Sequence, residues 1–133
     1  MRAVFLDTVG LLALWDVRDA WHGAAEAAYR RLLADRAPLV TSTFVLLETG
    51  NAAARRPYRA SVVRLRDSLE RQAALLIPSP ADWEQAWQAY ASGAAGDAGI
   101  VDHVSFTLMR RLGIDTAFTN DQHFRAAGFV TLF

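Results

Sequence analysis

The sequence predicts one α/β domain over residues 1–133, built on a mostly parallel sheet of about five short strands with helices on both faces. Three observations carry that expectation. Apolar runs such as Val4-Phe5-Leu6 and Leu75-Leu76-Ile77 are short and continuous, as strands buried on both faces read. Longer segments with helical spacing separate them, so strands alternate with helices. The 133-residue length is enough to bury about two-thirds of the surface an unfolded chain exposes.

Arg2 to Leu6 reads as the first strand, Asp7-Thr8 as its exit, and Val9 to Leu14 as one or two helical turns. Ligands of open parallel sheets bind beyond the carboxyl ends of strands, which is where Asp7 falls. Asp16 to Trp21 is a polar connector. Asp19 is the expected cap of a helix from Trp21 to Ala34, with Ala24, Ala25, Ala28, Leu32 and Leu33 as its apolar side and His22 as a capping or surface residue. Pro38 ends that unit, Leu39 to Thr41 is a second strand, and Ser42 or Thr43 caps a helix reaching about Arg55. After Pro57, Tyr58 to Ala73 forms a helix with Val62, Leu65 and Leu69 on one side and Arg59, Arg66 and Arg71 exposed. Leu75 to Ile77 is a third strand closed by Pro78. Ser79 or Asp82 opens a helix through Ala91, in which Trp83 and Trp87 are expected to pack together in the core. Ser92 to Gly96 reads as a mobile loop. A helix containing Asp102 runs to Leu112 and ends at Gly113, and Thr116 to Thr119 is a fourth strand. Asp121 caps a short helix from Gln122 to Ala127, Gly128 stops it, and Phe129 to Phe133 is a terminal strand.

Cysteine is absent, which excludes disulfides and thiolate metal sites. No apolar stretch approaches the roughly 18 residues of a membrane helix, and Ala3 to Leu6 meets Asp7 too soon to be a signal-peptide core. The cytoplasm is the expected location, with no membrane partner. The formal net charge is zero, but six arginines face two acids between Arg55 and Arg71, whereas three arginines face six acids from Pro78 onward. A basic arm beside an acidic pocket suits a polyanion whose phosphate is bridged to the pocket by metal ions; the plainer reading is a solvated helix face. All 14 Lys+Arg positions are arginine, which removes any mechanism that needs a lysine.

Four acids recur at the edges of apolar elements. Asp7 ends Val4-Phe5-Leu6, Glu48 closes Phe44-Val45-Leu46-Leu47 and shares a helical face with Phe44 and Ala52, Asp102 opens an apolar helix, and Asp121 follows an apolar strand. Singly, each is explained as a cap, a dipole partner or a half-exposed charge. Together they would raise one another's pKa and resist ionisation, a conflict that a hard divalent cation removes. Oxygen donors without cysteine favour Mg2+ or Mn2+. Asn51, one turn beyond Glu48, is placed to support a ligand or hold a substrate group, and Asp97 is either a surface acid or an outer ligand.

Hydrophobic-Leu-Asp-Thr ending at Thr8, Thr-Ser-x-x-x-Leu-Leu-Glu ending at Glu48, Val-Asp-x-x-Ser-Phe-x-Leu-Met from Val101, and Phe-Thr-x-Asp-x-His-Phe from Phe118 together resemble a PIN domain. More narrowly they resemble the VapC-type toxins of bacterial and archaeal toxin–antitoxin systems, over nearly the whole chain. The resemblance implies a three-layer sandwich and a metal-dependent ribonuclease with Asp7, Glu48, Asp102 and Asp121 as catalytic acids. A cation between Asp7, Asp102 and Asp121 would activate water, leaving a 5′ phosphate and a 3′ hydroxyl. Thr8 and Ser105 match hydroxyl positions beside that site, while Phe106 and Phe124 match core positions. Asn51, Arg55, Arg56 and Arg59 join Thr8 and Ser105 as candidates for holding RNA, with Arg64, Arg66, Arg110 and Arg111 as further backbone contacts. The implied partners are an RNA substrate, a cognate antitoxin and a second copy of the chain. Gly99 departs from the pattern, standing where the family often has serine, and predicts a looser loop before Asp102.

Two other readings were weighed against this one. Phe5-Leu6-Asp7-Thr8-Val9 also resembles the opening motif of haloacid-dehalogenase phosphatases, but the second acid of that motif is replaced by Val9 and no lysine is present. A PIN-like module that binds RNA or protein without catalysis is the non-enzymatic alternative.

Overall fold

The computed structural model describes residues 2–133. In order, the elements are β1 (Val4–Leu6), α1 (Thr8–Trp15), α2 (His22–Ala34), β2 (Leu39–Ser42), α3 (Thr43–Ala53), α4 (Arg59–Arg71), β3 (Leu75–Leu76), α5 (Pro80–Ala91), α6 (Ile100–Leu112), β4 (Thr116–Phe118), α7 (Gln122–Ala126) and β5 (Val130–Thr131). The five strands form one sheet in the order β3-β2-β1-β4-β5, and every neighbouring pair is parallel. From β1 the chain steps outward to β2 and β3, then crosses back to the far side of β1 for β4 and β5. With right-handed crossovers that reversal covers both faces of the sheet with helices, as the sequence predicts. It also opens a crevice beyond the carboxyl ends of β1 and β4, where the direction of winding switches.

Local chemistry fixes most element boundaries. The Asp7 side chain caps α1 by accepting from the Val9 amide, Ser42 caps α3 through the Val45 amide, and Asp121 caps α7 through the His123 amide. Ser79 and Asp82 cap α5 jointly: Ser79 Oγ accepts from the Asp82 amide at 3.1 Å and the Asp82 carboxylate from the Ser79 amide at 2.8 Å. Gly113 ends α6 in the left-handed region at φ 68°. Gly10 is required for a different reason: a Cβ there would lie 2.0 Å from the Phe118 carbonyl oxygen, so only a glycine lets α1 lie against β4. Phe5, Leu6, Leu11, Phe106, Leu108, Met109, Phe118 and Phe124 form the fully buried centre.

The structure corrects several expectations. Asp19 does not cap α2; it closes the turn ahead of it, accepting from the Trp21 amide at 2.8 Å. Ala24 and Leu33 lie on the outer side of that helix, whose inward residues are Ala25, Ala28 and Leu32. Trp83 and Trp87 do pack together, with ring centroids 5.8 Å apart, but on the surface: they are 47% and 38% exposed. Their four-residue spacing specifies a shared face, and the face turned inward carries Asp82 and Ala86 instead. The strands β3 and β5 are two residues each, shorter than read, and Ile77 is exposed. Ser92 to Gly96 is a series of hydrogen-bonded turns, Ala94 to Ala89 and Gly96 to Gly93, with Gly93, Ala95 and Gly96 at positive φ. Gly99 is the N-cap of α6 at φ −74°, a conformation open to any residue.

Candidate metal centre

The switch of winding direction brings the two capping acids together. Asp7 follows β1 and Asp121 follows β4, and the strands run side by side with Leu6 opposite Phe118. Thr119 joins the acids: its hydroxyl donates to Asp7 Oδ2 at 2.9 Å and accepts from the Asp121 amide at 3.0 Å. Asp102 enters from the first turn of α6, and one oxygen each of Asp102 and Asp121 and a ring nitrogen of His123 lie within 4.8 Å of one another. Glu48 projects from α3 into an adjoining cleft with Phe44, Asn51, Trp83 and Val101. Glu48 is exposed at the edge of the buried side of α3, where its neighbour Thr49 takes the inward position.

The electrostatics tie the four acids into one cluster. Asp7 is 1% exposed, and its carboxyl is pushed up to about 8, chiefly by burial and then by the charge of Asp102, with smaller contributions from Asp121 and Glu48; the Thr119 hydroxyl opposes the rise. Asp102 is raised to about 6 by burial and by the charges of Asp121 and Glu48, while the Gly99 amide and His123 pull the other way. His123 is raised in turn by its hydrogen bonds to Asp97 and Asp121, with Nδ1 2.9 Å from Asp121 Oδ1 and Nε2 2.7 Å from Asp97 Oδ1.

This donor set fits a hard divalent cation. Asp7 Oδ2 serves both the Val9 amide and Thr119, and Asp121 Oδ1 serves both the His123 amide and ring. The second oxygen of each carboxylate takes no hydrogen bond among the described residues. Asp102, Asp121 and His123 are the residues whose donor atoms lie within 4.8 Å of one another; Asp7 stands outside that group and is joined to it by the charge of Asp102, and a small dication would relieve the repulsion among these carboxylates.

The candidate substrate residues divide. Asn51 lines the Glu48 cleft and also a neighbouring one with Arg55 and Arg56. Arg59 instead turns back to the Ala54 carbonyl. Thr8 and Ser105 face inward: the Thr8 hydroxyl is bonded to Thr49 at 3.1 Å, and Ser105, fully buried, donates to the Val101 carbonyl at 3.0 Å. Both hydroxyls are thus engaged within the protein interior. Arg111 is held by the buried Asp82 in two bonds of 2.8 and 2.7 Å, Arg110 lies over the Phe106 and Phe129 rings, and Arg66 pairs with Asp67 and Glu70. Two participants were not singled out from the sequence, Thr119 and His123. Both stand in the Phe-Thr-x-Asp-x-His-Phe segment, whose polar residues flank Asp121 at two-residue spacing.

The PIN domain family model matches residues 4–130. The chain belongs to the PIN-domain family. Among curated proteins it is 36% identical over 129 residues to the 23S rRNA-specific endonuclease VapC20 of Mycobacterium tuberculosis, covering 96% of this chain and 95% of that one. The crystal structure of VapC20, described as a Sarcin-Ricin loop cleaving toxin, matches with a TM-score of 0.75 at 33% identity over 96% of both chains. The structure of FitAcB from Neisseria gonorrhoeae matches with a TM-score of 0.64 at 17% identity, covering 96% of this chain and 95% of that one, and speaks to the fold alone. The PIN fold, the VapC-type resemblance and the ribonuclease class read from the four motifs are thereby borne out.

Proposed function

We propose that this PIN domain is the toxin of a toxin–antitoxin pair and hydrolyses RNA phosphodiesters with the help of Mg2+ or Mn2+ held by Asp7, Asp102 and Asp121. The observation that carries the reading is the acid cluster at the switch of the sheet, with free oxygens on Asp7 and Asp121, and with Asp7 and Asp102 both raised by burial and, next, by the charges of neighbouring acids. When bound, a divalent cation lowers the pKa of water at the site and neutralises charge on the phosphodiester. The chain's own residues do the rest. Thr119 fixes the Asp7 carboxylate and the position of Asp121, His123 fixes the Asp121 carboxylate, and Glu48 and Asn51 face the cleft where the substrate strand lies. His123 is a further candidate ligand, since its ring nitrogen stands within the same 4.8 Å group.

Large-subunit ribosomal RNA is the substrate class we assign, because the 36% identity to VapC20 extends over 96% of the chain. An antitoxin that covers the acids is the expected protein partner. A second copy of the chain is expected to use the exposed stripe of Trp83, Trp87 and Tyr90 on α5, and a light-scattering mass of one chain at micromolar concentration would rule that out. No helix among the described residues is long and apolar enough to cross a membrane; with ribosomal RNA as substrate, the cytoplasm is the expected location.

The test is incubation of antitoxin-free protein with end-labelled ribosomal RNA and Mn2+, with chelator and Asp102→Asn as controls. Cuts bearing 5′ phosphates, absent in both controls, are expected. An identical pattern from wild type and Asp102→Asn would show the activity to be foreign. RNA binding without cutting would favour the non-catalytic module.

A further inference from the structure

Away from the acids, the C-terminal end of α1 and the turn between α3 and α4 enclose a cleft of about 550 Å3. Its size lies within the roughly 300–1,000 Å3 of small-ligand sites. Two aromatic rings stand in it, Trp15 and Tyr58, with centroids 6.4 Å apart and planes 35° to one another, both half-buried. Arg18, Arg55 and Arg56 line the cleft with them. Among the described residues none of the three has an acidic partner, whereas Arg2, Arg30, Arg66 and Arg111 each do. The one acid in the cleft, Asp16, is tied to the Arg18 backbone amide at 3.0 Å. Three arginines against one acid leave the cleft with an excess of positive charge.

Shared lining residues link the cleft toward Glu48. Arg55 and Arg56 line both it and the neighbouring hollow that contains Asn51, and Asn51 lines the cleft of Glu48. Glu48 to Arg55 is seven residues along and just beyond α3, roughly 10 Å at 1.5 Å per residue. A strand of RNA with its scissile phosphate at the acids would thus run along α3 into a chamber with aromatic faces for a base and cations for the flanking phosphates. That combination is how single-stranded nucleic acid is held. An acidic protein segment would satisfy the arginines but has no need of the stacking faces or of a link toward Glu48.

We propose that this cleft is a nucleotide subsite: an unpaired base of the RNA packs on Trp15 and Tyr58 while Arg18, Arg55 and Arg56 hold the adjoining phosphates. The proposal rests on the ribonuclease reading, and its test separates the two. Single-stranded oligoribonucleotides carrying 4-thiouridine are photocrosslinked to the full chain bearing Asp102→Asn, and the attachment sites are mapped by mass spectrometry. In parallel, cleavage of ribosomal RNA is followed for Arg18→Ala, Arg56→Ala, Tyr58→Leu and Trp15→Phe, with melting curves to verify folding. Trp15 packs on the core, so the exposed arginines carry the test if aromatic variants fail to fold.

Crosslinks at Trp15 or Tyr58 are expected. Each arginine variant is expected to raise KM about tenfold more than it lowers kcat, and to reduce the slope of log affinity against log salt by about one. Trp15→Phe, which keeps a stacking face, should retain most of the affinity that Tyr58→Leu loses. RNA cleavage with crosslinks only elsewhere and unchanged KM would overturn the subsite and leave the ribonuclease intact. Crosslinks here without cleavage would support the subsite and overturn the ribonuclease. Absence of both RNA binding and cleavage would overturn the two together. An acidic peptide whose binding depends on the same arginines, while RNA binding does not, would assign the cleft to a protein and overturn the proposal.

Discussion

Asp7→Asn is expected to stabilise the metal-free protein while abolishing activity. The Asp7 carboxyl is 1% exposed and stands at about 8 against an ordinary value of 3.8, with burial as the first cause and Asp102 the second. The unfolded chain releases this proton near pH 4 and the folded chain keeps it to about pH 8. The folded state therefore holds an extra proton between those limits, and its stability is lost as pH rises through the window. At about 1.4 kcal/mol per pKa unit, the three units or so between the ordinary value and pH 7 amount to roughly 4 kcal/mol. Asparagine has no charge to bury and retains an oxygen for the Thr119 hydroxyl and the Val9 amide. Even if its amide nitrogen, poorly matched to the site, cancels half the gain, about 2 kcal/mol is left, or roughly 7 °C in melting temperature for a chain of this length. Circular-dichroism melts in chelator at pH 4, 6 and 8 check this. The variant should melt above wild type at pH 8, and the gap should close toward pH 4, reversing there by whatever the amide nitrogen costs. Adding Mn2+ should raise the melting temperature of wild type and leave that of the variant unmoved. A variant that melts at or below wild type at pH 8 in chelator, or a gap independent of pH, would refute the reasoning.

Three other substitutions test the support around the acids. Thr119→Val removes the hydroxyl that opposes the rise at Asp7, so the proton is held more tightly and Mn2+ affinity at pH 7 should fall about tenfold, with recovery toward pH 9 by calorimetry. His123→Ala removes the ring's bond to Asp121 Oδ1, leaving the backbone amide bond, and should cost about 10–100-fold in Mn2+ affinity, whereas Asp97→Ala, which removes only the outer bond to the His123 ring, should cost less; equal affinity in wild type and both variants would count against the supporting role. Gly10→Ala places a methyl group 2.0 Å from the Phe118 carbonyl oxygen and should destabilise by at least about 3 kcal/mol in a denaturant titration, because α1 and β4 must part.

What the sequence makes legible is what local chemistry decides. Short apolar runs became the strands, and Ser42, Ser79 and Asp121 became helix caps, because a cap depends on residues within three or four positions. What it hid depends on how helices turn toward one another. The four-residue step of Trp83 and Trp87 is equally consistent with an inward or an outward stripe, and the choice fell to Asp82 because Arg111, 29 residues away, makes a buried carboxylate tolerable there. The same pairing removed Arg111 from the set of free cations. Glu48 shows the limit of the same spacing argument: an acid between apolar residues on a helix stands exposed at the edge of the buried stripe, where it borders a cleft. The linear order of charges distinguishes none of these cases, since Arg55 and Arg66 lie in one basic run yet only Arg66 is neutralised by its neighbours.

For Asp7 and Asp121 the sequence had set helix cap against member of an acid site, as if one excluded the other. The geometry removes the opposition. A capping aspartate needs a single oxygen for the amides at the helix start, and in each residue one oxygen accepts all the hydrogen bonds, including those from Thr119 at Asp7 and from the His123 ring at Asp121. The other oxygen is left to whatever occupies the crevice. Because β1 and β4 are adjacent and parallel, two ordinary caps beyond their ends fall side by side, and Asp102 needs only the first turn of α6 to join them. Capping thus fixes two of the acids in place, while the burial of Asp7 beside the charge of Asp102, which raises it to about 8, is the part that stability alone would not retain.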